Sequence, residues 1–153
     1  MMQAQRHTFQ VLTKRPDRML KYFRYRMAGA DVLPNLWLGT SVEDARRWQE
    51  RSPELRDTPA AVRFVSFEPW LADVCVLGDV SWLDWAIIGG ETGRGYREMD
   101  LTSAESLTDQ LVTFGVRVFW KQDSGPRPGQ QGRLSDALWA RKEYPKGAVS
   151  LAP

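Results

Sequence analysis

The stretch that decides the fold is WAIIGG at residues 85–90, an almost continuous apolar run that ends in two glycines. Strands that are apolar on both faces are typical of a parallel sheet covered by helices. Four further short runs have the same character: FQVLT at 9–13, LWLGT at 36–40, AVRFVSF at 61–67 and VRVFW at 116–120. Because parallel neighbours need long connections, we predict an α/β fold of five parallel strands. A doubly wound sheet and part of a (β/α) barrel both fit this pattern.

Helical patterns follow three of these runs, those at 9–13, 36–40 and 85–90. The first begins at Pro16, after which apolar residues recur at helical spacing. In the other two, Ser41 is followed three residues later by Asp44, and Thr102 by Glu105. This is the spacing of a capping box at a helix N-terminus. We therefore expect Ser41 and Thr102 to cap two helices, and the run at 9–13 to be a buried strand.

The length and composition are those of one globular domain. The chain has 153 residues, of which 42% are hydrophobic and 26% charged. We predict that residues 1–121 form the β/α part. The glycine- and proline-rich loop and C-terminal tail at residues 122–153 are expected to pack on the same domain.

One cysteine and one histidine limit the cofactors that the chain can hold by itself. With Cys75 alone it cannot form an internal disulfide, a cysteine-based zinc site or an iron–sulfur cluster. His7 is the single histidine, and we predict no metal site. No run approaches the roughly 18 apolar residues of a membrane span, and the N-terminus lacks the apolar segment of a signal peptide. We expect a cytoplasmic protein without a membrane partner.

Basic residues are concentrated at the start of the chain. Residues 1–30 hold seven basic side chains and one acidic one, so their net charge is +6, against −4 for the rest. In the first predicted helix, Lys21, Arg24 and Arg26 alternate with aromatic residues, a mixture that can contact phosphates and stack on bases. An ordinary solvated basic face explains the same pattern and is the stronger interpretation.

Polar residues stand at the C-terminal end of every predicted strand. In a parallel sheet these ends share one edge, where α/β folds carry their sites. The two glycines at 89 and 90 would let a ligand or another backbone approach closely, although a tight turn explains them equally well. The candidate residues are Lys14, Arg15, Ser41, Glu43, Glu68, Gly89, Gly90, Glu91, Lys121 and Gln122. Polar residues also mark ordinary strand ends, but their recurrence favours a mixed-charge site.

Five motifs together carry a resemblance to a known family. They are FQVLTKRPDRM, PNLWLGTSVED, TPAAVRFVSFEPWL, LDWAIIGGETG and VFWKQ, in this order from about Thr8 to Gln122, with a weaker match at residues 132–134. They resemble a phage- and prophage-associated protein family of unknown function. Its members usually carry, upstream of this region, a three-cysteine segment similar to the cluster-binding loop of radical SAM enzymes, in a barrel-like fold.

The resemblance implies that this chain is part of a TIM-like (β/α) barrel of about five strands. The matching residues Lys14, Glu43, Glu68, Glu91 and Lys121 would line its cavity. Glu68 and Glu91 would then be acid/base groups or polar anchors, and the two lysines would bind an anionic part of the ligand.

The chain also departs from the family pattern, because it has no three-cysteine segment and Cys75 does not correspond to one. S-adenosylmethionine and a 4Fe–4S cluster would be cofactors only if a partner supplied three thiolates, so we expect the chain alone to be inactive. An open five-stranded sheet exposes backbone at its edges, which predicts a homo-oligomer or a partner chain that completes the sheet. The alternative is a non-catalytic phage protein that binds a host protein or nucleic acid through Lys21, Arg24 and Arg26.

Overall fold

The computed structural model describes residues 4, 6–29, 31–74, 76 and 78–145. Its elements are β1 (Phe9–Thr13), α1 (Pro16–Arg26), β2 (Leu36–Ser41), α2 (Ala45–Arg56), β3 (Val62–Phe67), β4 (Trp85–Gly89), α3 (Leu101–Thr113), β5 (Arg117–Gln122) and α4 (Asp136–Trp139). None of the described helices is long and apolar enough to cross a membrane. Cys75 and residues 146–153 lie outside the described residues.

The five strands form one parallel sheet in which they lie side by side in chain order, from β1 to β5. The predicted α/β fold of five parallel strands is confirmed. The sheet is open and is not closed into a barrel. A doubly wound sheet reverses its strand order part of the way across, so the sequential order found here differs from that alternative.

The caps of α2 and α3 differ from the predicted capping boxes. Asp44 caps α2 by accepting a hydrogen bond from the N–H three residues on at 2.8 Å, and Asp100 caps α3 by accepting one from Thr102 at 3.0 Å. The predicted caps Ser41 and Thr102 are therefore wrong. Ser41 still pairs with Ser66 as the last residue of β2, and Thr102 already lies in the first turn of α3.

The main core lies between the helices and one face of the sheet. Alternate strand residues point to this face, as the two-residue period of a strand requires. They meet apolar side chains from α1, α2 and α3, and fully burying each such side chain contributes roughly 1.5–3 kcal/mol. Residues of this core include Met19, Leu38, Trp48, Val65, Ile88, Leu107, Leu111, Val118 and Trp120.

The opposite face of the sheet is aromatic. Trp37, Phe64 and Trp85 are buried there and contact one another edge to face or tilted, with ring centroids 5.6–5.8 Å apart. Gly39 makes this packing possible, because a Cβ at that position would lie 2.6 Å from the ring of Phe64. The central strands β2, β3 and β4 therefore carry buried apolar side chains on both faces.

The two edges of the sheet differ. Beside β5, residues 141–143 run antiparallel, and the N–H of Trp120 donates to the carbonyl of Arg141 at 3.0 Å. On the other side, β1 pairs only with β2 within the described residues, and the side chains of Val11 and Leu12 are 37% and 50% exposed. The prediction that this strand is buried is wrong, because no described element covers its outer side.

Candidate functional site

The predicted polar residues share one edge of the sheet but form three separate clusters there. Each of these residues either is one of the last residues of a strand or follows the strand directly, and the parallel topology brings these strand ends to one edge. The first cluster is built on Glu43, the second on Glu68 and the third on Glu91. In each of them a carboxylate is held by one or two cations of the same chain.

Glu43 joins the end of β1 to α2. Its Oε1 lies 2.5 Å from the Nζ of Lys14, and its Oε2 accepts a hydrogen bond from the Nη1 of Arg51 at 2.9 Å. The same Nη1 donates to the carbonyl of Ser41 at 2.6 Å. Glu43 is buried, whereas the side chain of Lys14 is 59% exposed. Two cations on one carboxylate leave a surplus positive charge at this position.

A hollow of about 320 Å³ lies beside Lys14. Its wall includes four cationic side chains and three acidic ones, and the carboxylate of Glu43, which pairs with Lys14 and Arg51, balances the remaining positive charge. The lining residues are Lys14, Arg15, Pro16, Asp17, Arg47, Glu50, Arg51 and Glu54.

Glu68 reaches from the end of β3 across β4 to β5. Its two oxygens accept hydrogen bonds from the Nζ of Lys121 at 2.9 and 3.0 Å, and Oε1 also accepts one from the Nε2 of Gln122 at 3.2 Å. Gly89 of β4 lies below this bridge, and a Cβ there would come within 3.3 Å of the Cδ of Glu68. Gly89 therefore provides the space through which the carboxylate passes.

Gln122 is almost fully buried and uses its whole amide on protein groups. Its Nε2 donates to the carbonyl of Gly90 at 3.1 Å, and its Oε1 accepts from the N–H of Gly129 at 2.8 Å. Together with its bond to Glu68, the side chain links β4, β5 and the following loop. Gln122 thus holds the Glu68 cluster in place.

Gly90 is a point of close backbone approach. A Cβ on this residue would lie 2.3 Å from the backbone nitrogen of Ser124, and the N–H of Gly90 donates to the carbonyl of Gln122 at 3.1 Å. The group that approaches this glycine is therefore the backbone of the loop after β5.

Glu91 forms an ion pair with Arg97 that engages both of its oxygens. Oε1 accepts from Nη2 at 2.6 Å, and Oε2 accepts from Nε at 2.8 Å and from the backbone N–H of Arg97 at 2.9 Å. The side-chain hydrogen bonds of Arg97, followed by that of its backbone, lower the pKa of Glu91 to about 2. Glu91 is therefore a carboxylate at neutral pH and has no proton to donate.

Asp123 and Arg133 form a further ion pair that the sequence reasoning missed. The Nε and Nη2 of Arg133 donate to Oδ2 and Oδ1 of Asp123 at 2.9 and 2.8 Å, and the N–H of Arg133 donates to Oδ2 at 2.8 Å. Nη2 also donates to the carbonyl of Met99, which joins the loop after β5 to the segment before α3. A Cβ at Gly132 would lie 2.6 Å from Oδ2, so only glycine fits before the arginine. In the sequence, the weaker family match at residues 132–134 contains Gly132 and Arg133 and could have drawn attention to them.

Burial and hydrogen bonding shift the pKa of Asp123 in opposite directions. Desolvation alone would raise the pKa of this carboxyl group, because only 2% of its side chain is exposed. The hydrogen bonds from Arg133 and from the N–H of Ser124 outweigh it, and the pKa of Asp123 lies below its usual range.

The basic residues of α1 lie on the surface. Lys21, Arg24 and Arg26 are exposed, together with the aromatic ring of Tyr25. The Nη2 of Arg24 lies 3.4 Å from the Oδ2 of Asp57, which partly neutralises it.

The described residues do not form a metal site. Nowhere in the described ranges do three or more His, Cys, Asp or Glu side chains come together as a metal ion would require. The chain also has a single cysteine, so its residues do not fit a 4Fe–4S cluster, which needs three or four thiolates.

Comparison with known proteins identifies a family. No curated protein and no solved structure matches the chain. One family model does match, described as "Protein of unknown function (DUF5131)", and the match extends over residues 1–142. Since this is most of the 153 residues, the chain belongs to that family of proteins of unknown function.

Proposed function

We propose that this chain is a portion of a (β/α) barrel that binds a small anionic ligand at the C-terminal edge of its sheet and has no catalytic activity by itself. We also propose that it is a phage-type protein distantly related to radical SAM enzymes, as its motifs suggest. The observation that carries the binding proposal is the exposed ammonium group of Lys14, which Glu43 holds beside a hollow of about 320 Å³.

The ammonium group of Lys14 suits an anion because it is both held and exposed. Glu43 fixes Nζ at 2.5 Å, while 59% of the side chain remains accessible. An ammonium group has three donors, so two of them are left for a ligand oxygen. Arg15 and Arg51 also line the hollow and would add charge-assisted hydrogen bonds to a carboxylate or phosphate.

Lys121 offers a second contact on the same edge. Glu68 holds its Nζ through both oxygens, and 48% of the lysine side chain is exposed. Because Glu68 balances this charge, we expect Lys121 to contribute less affinity than Lys14. Gln122 and Gly90 act as positioning residues, since their polar groups contact protein atoms.

The carboxylates argue against catalysis by this chain. Glu68 accepts three hydrogen bonds, and Glu91 has a pKa of about 2. A general acid or base needs an oxygen that is free to exchange a proton with the substrate, and the pKa of Glu91 is in addition far below neutral pH. Any cluster chemistry would need thiolates from another chain, and no step here depends on it.

Calorimetric titration with inorganic phosphate, pyrophosphate, citrate and S-adenosylmethionine tests the binding proposal. Ligands at about 1 mM should also raise the Tm at constant ionic strength. Lys14→Met should weaken binding at least about tenfold, a loss of about 1.4 kcal/mol. Lys21→Met, an exposed lysine of α1, is the matched control and should leave binding unchanged. The proposal fails if no probe binds, or if the two variants bind equally well.

A second candidate function is binding of a host nucleic acid through α1. The specific observation in its favour is the ring of Tyr25, which is 79% exposed on the helix that also carries the exposed cations Lys21, Arg24 and Arg26. Fluorescence anisotropy with a labelled single-stranded oligonucleotide, measured across salt concentrations, tests it. Affinity should fall with salt and be lost when Lys21, Arg24 and Arg26 are changed to glutamate. If the affinity is independent of salt or survives this charge reversal, nucleic-acid binding through α1 is excluded.

A further inference from the structure

The outer edge of β1 has hydrogen-bonding groups that β2 does not use. The N–H of Phe9 donates to the carbonyl of Asn35 at 2.8 Å, in a register that pairs Phe9 with Leu36. In a parallel ladder, alternate residues direct their N–H and C=O groups to opposite sides. The backbone groups of Gln10 and Leu12 therefore face away from β2.

Exposed apolar side chains lie on this edge and in the segment of the chain that follows it. Five of the nine large hydrophobic residues that are exposed in the described part of the chain lie between residues 11 and 32: Val11, Leu12, Tyr22, Tyr25 and Val32. Val11 and Tyr22 also line a largely apolar groove of about 650 Å³ between β1 and α1. A strand edge with exposed apolar side chains is a surface at which another strand pairs.

We propose that two copies of this chain pair through β1, in antiparallel orientation, about a twofold axis that passes beside Val11. Gln10 of one copy then lies opposite Leu12 of the other, and the two residues exchange a pair of hydrogen bonds. The twofold axis repeats this pair, so that all four outward-facing peptide groups of the two strands are satisfied. The two Val11 side chains meet on the helix-covered side of the extended sheet.

Charge and symmetry favour a second copy as the occupant. Arg15 and Arg18 line the groove at the C-terminal end of β1, and Asp17 already lies 3.5 Å from Arg15. Asp31 lines the adjoining hollow at the N-terminal end of the strands together with Arg24, which pairs with Asp57. Antiparallel pairing brings Arg18 of each copy towards Asp31 of the other. The five-residue strand is also centred on Val11, so the proposed register pairs it with itself over its full length. This proposal does not depend on the anion site.

Size-exclusion chromatography with light scattering tests the dimer. At about 100 μM we expect twice the chain mass of 17.5 kDa. Val11→Lys would place two ammonium groups against each other at the axis and should weaken association at least about 30-fold. Val112→Lys is the matched control, because Val112 lies on α3 and is similarly exposed, at 41%. It should remain dimeric, and circular dichroism shows whether both variants fold.

A disulfide tests the register. Val11 faces Val11 of the second copy as a non-hydrogen-bonded pair, for which the Cα atoms are about 4.5 Å apart, within the range of a disulfide. Val11→Cys in a Cys75→Ser background should therefore give a covalent dimer on mild oxidation, whereas Val112→Cys should not. A monomer at about 100 μM, a dimer that survives Val11→Lys, or equal cross-linking at the two positions would each overturn the proposal.

Discussion

Arg133→Met removes the guanidinium group that neutralises Asp123, a carboxylate with only 2% of its side chain exposed. The variant loses two side-chain hydrogen bonds to Asp123, one to the carbonyl of Met99 and one to the carboxylate of Glu98. Removing one partner of a buried ion pair costs roughly 3–5 kcal/mol, and Arg133 is itself 44% exposed, so the lower end of that range applies. We expect a loss of about 3 kcal/mol in the free energy of unfolding near pH 7.

The loss should depend on pH, and its direction follows from Asp123. In the wild type the pKa of this group is below its usual value, so its contribution to stability is present above the unfolded pKa of about 3.9 and is lost as pH falls through the folded pKa. Without Arg133, desolvation raises the pKa, and ionisation then opposes folding as pH increases. The difference between wild type and variant should therefore be largest near pH 7 and should narrow below about pH 4.

Urea unfolding followed by circular dichroism, near pH 7 and near pH 3.5, measures both effects. Arg127→Met changes an exposed arginine of the same loop and should cost less than about 0.5 kcal/mol. Adding Asp123→Asn to Arg133→Met should recover part of the loss, because the buried group is then neutral. The reasoning is refuted if Arg133→Met costs under about 1 kcal/mol near pH 7, or the same amount at both pH values.

Three further predictions concern the glycines and Glu91. Gly90→Ala places a Cβ against the backbone of the loop after β5 and should destabilise the protein by about 3 kcal/mol in urea unfolding. Gly39→Ala places a Cβ against the ring of Phe64 and should lower the free energy of unfolding by about 2 kcal/mol. Gly125→Ala is the control, because no atom lies closer than 3.6 Å to its Cβ, and it should cost less than about 1 kcal/mol. Equal losses of stability at all three glycines would contradict the packing described. A carbon-detected NMR titration of Glu91 should give a pKa of about 2, and Arg97→Gln should return it towards 4.5; a wild-type value near 4.5 would rule out the ion pair.

The strands were predictable from sequence because each contains a short apolar run, although β2 and β5 continue past their runs through Ser41 and through Lys121 and Gln122. WAIIGG gave β4 to within one residue, since Gly89 and Gly90 end the apolar pattern. The exposure of Val11 was not predictable, because FQVLT has the composition of a buried strand and its exposure depends on which elements lie beside it. The cap of α2 also depends on a neighbouring element. Ser41 pairs with Ser66 of β3 and so belongs to β2, and the helix begins after Asp44, which caps it.

The shared edge of the site was also predictable, because it follows from parallel topology alone. The partners were not. Arg51, Arg97 and Arg133 come from a helix and two loops, and nothing periodic in the sequence connects them to Glu43, Glu91 and Asp123. Each pairing depends on how a side chain leaves its own element, which requires the folded backbone.

The way in which this edge uses its carboxylates argues for recognition rather than turnover. Glu43, Glu68 and Glu91 each hold a cation of the same chain, so none is free to accept a substrate proton without breaking an ion pair. Lys14 and Lys121, which Glu43 and Glu68 hold, keep about half of their side-chain surface accessible. An ammonium group that is fixed in advance loses less conformational entropy when a ligand binds, and the binding affinity rises accordingly. These contacts support the proposal that this edge binds an anion without converting it.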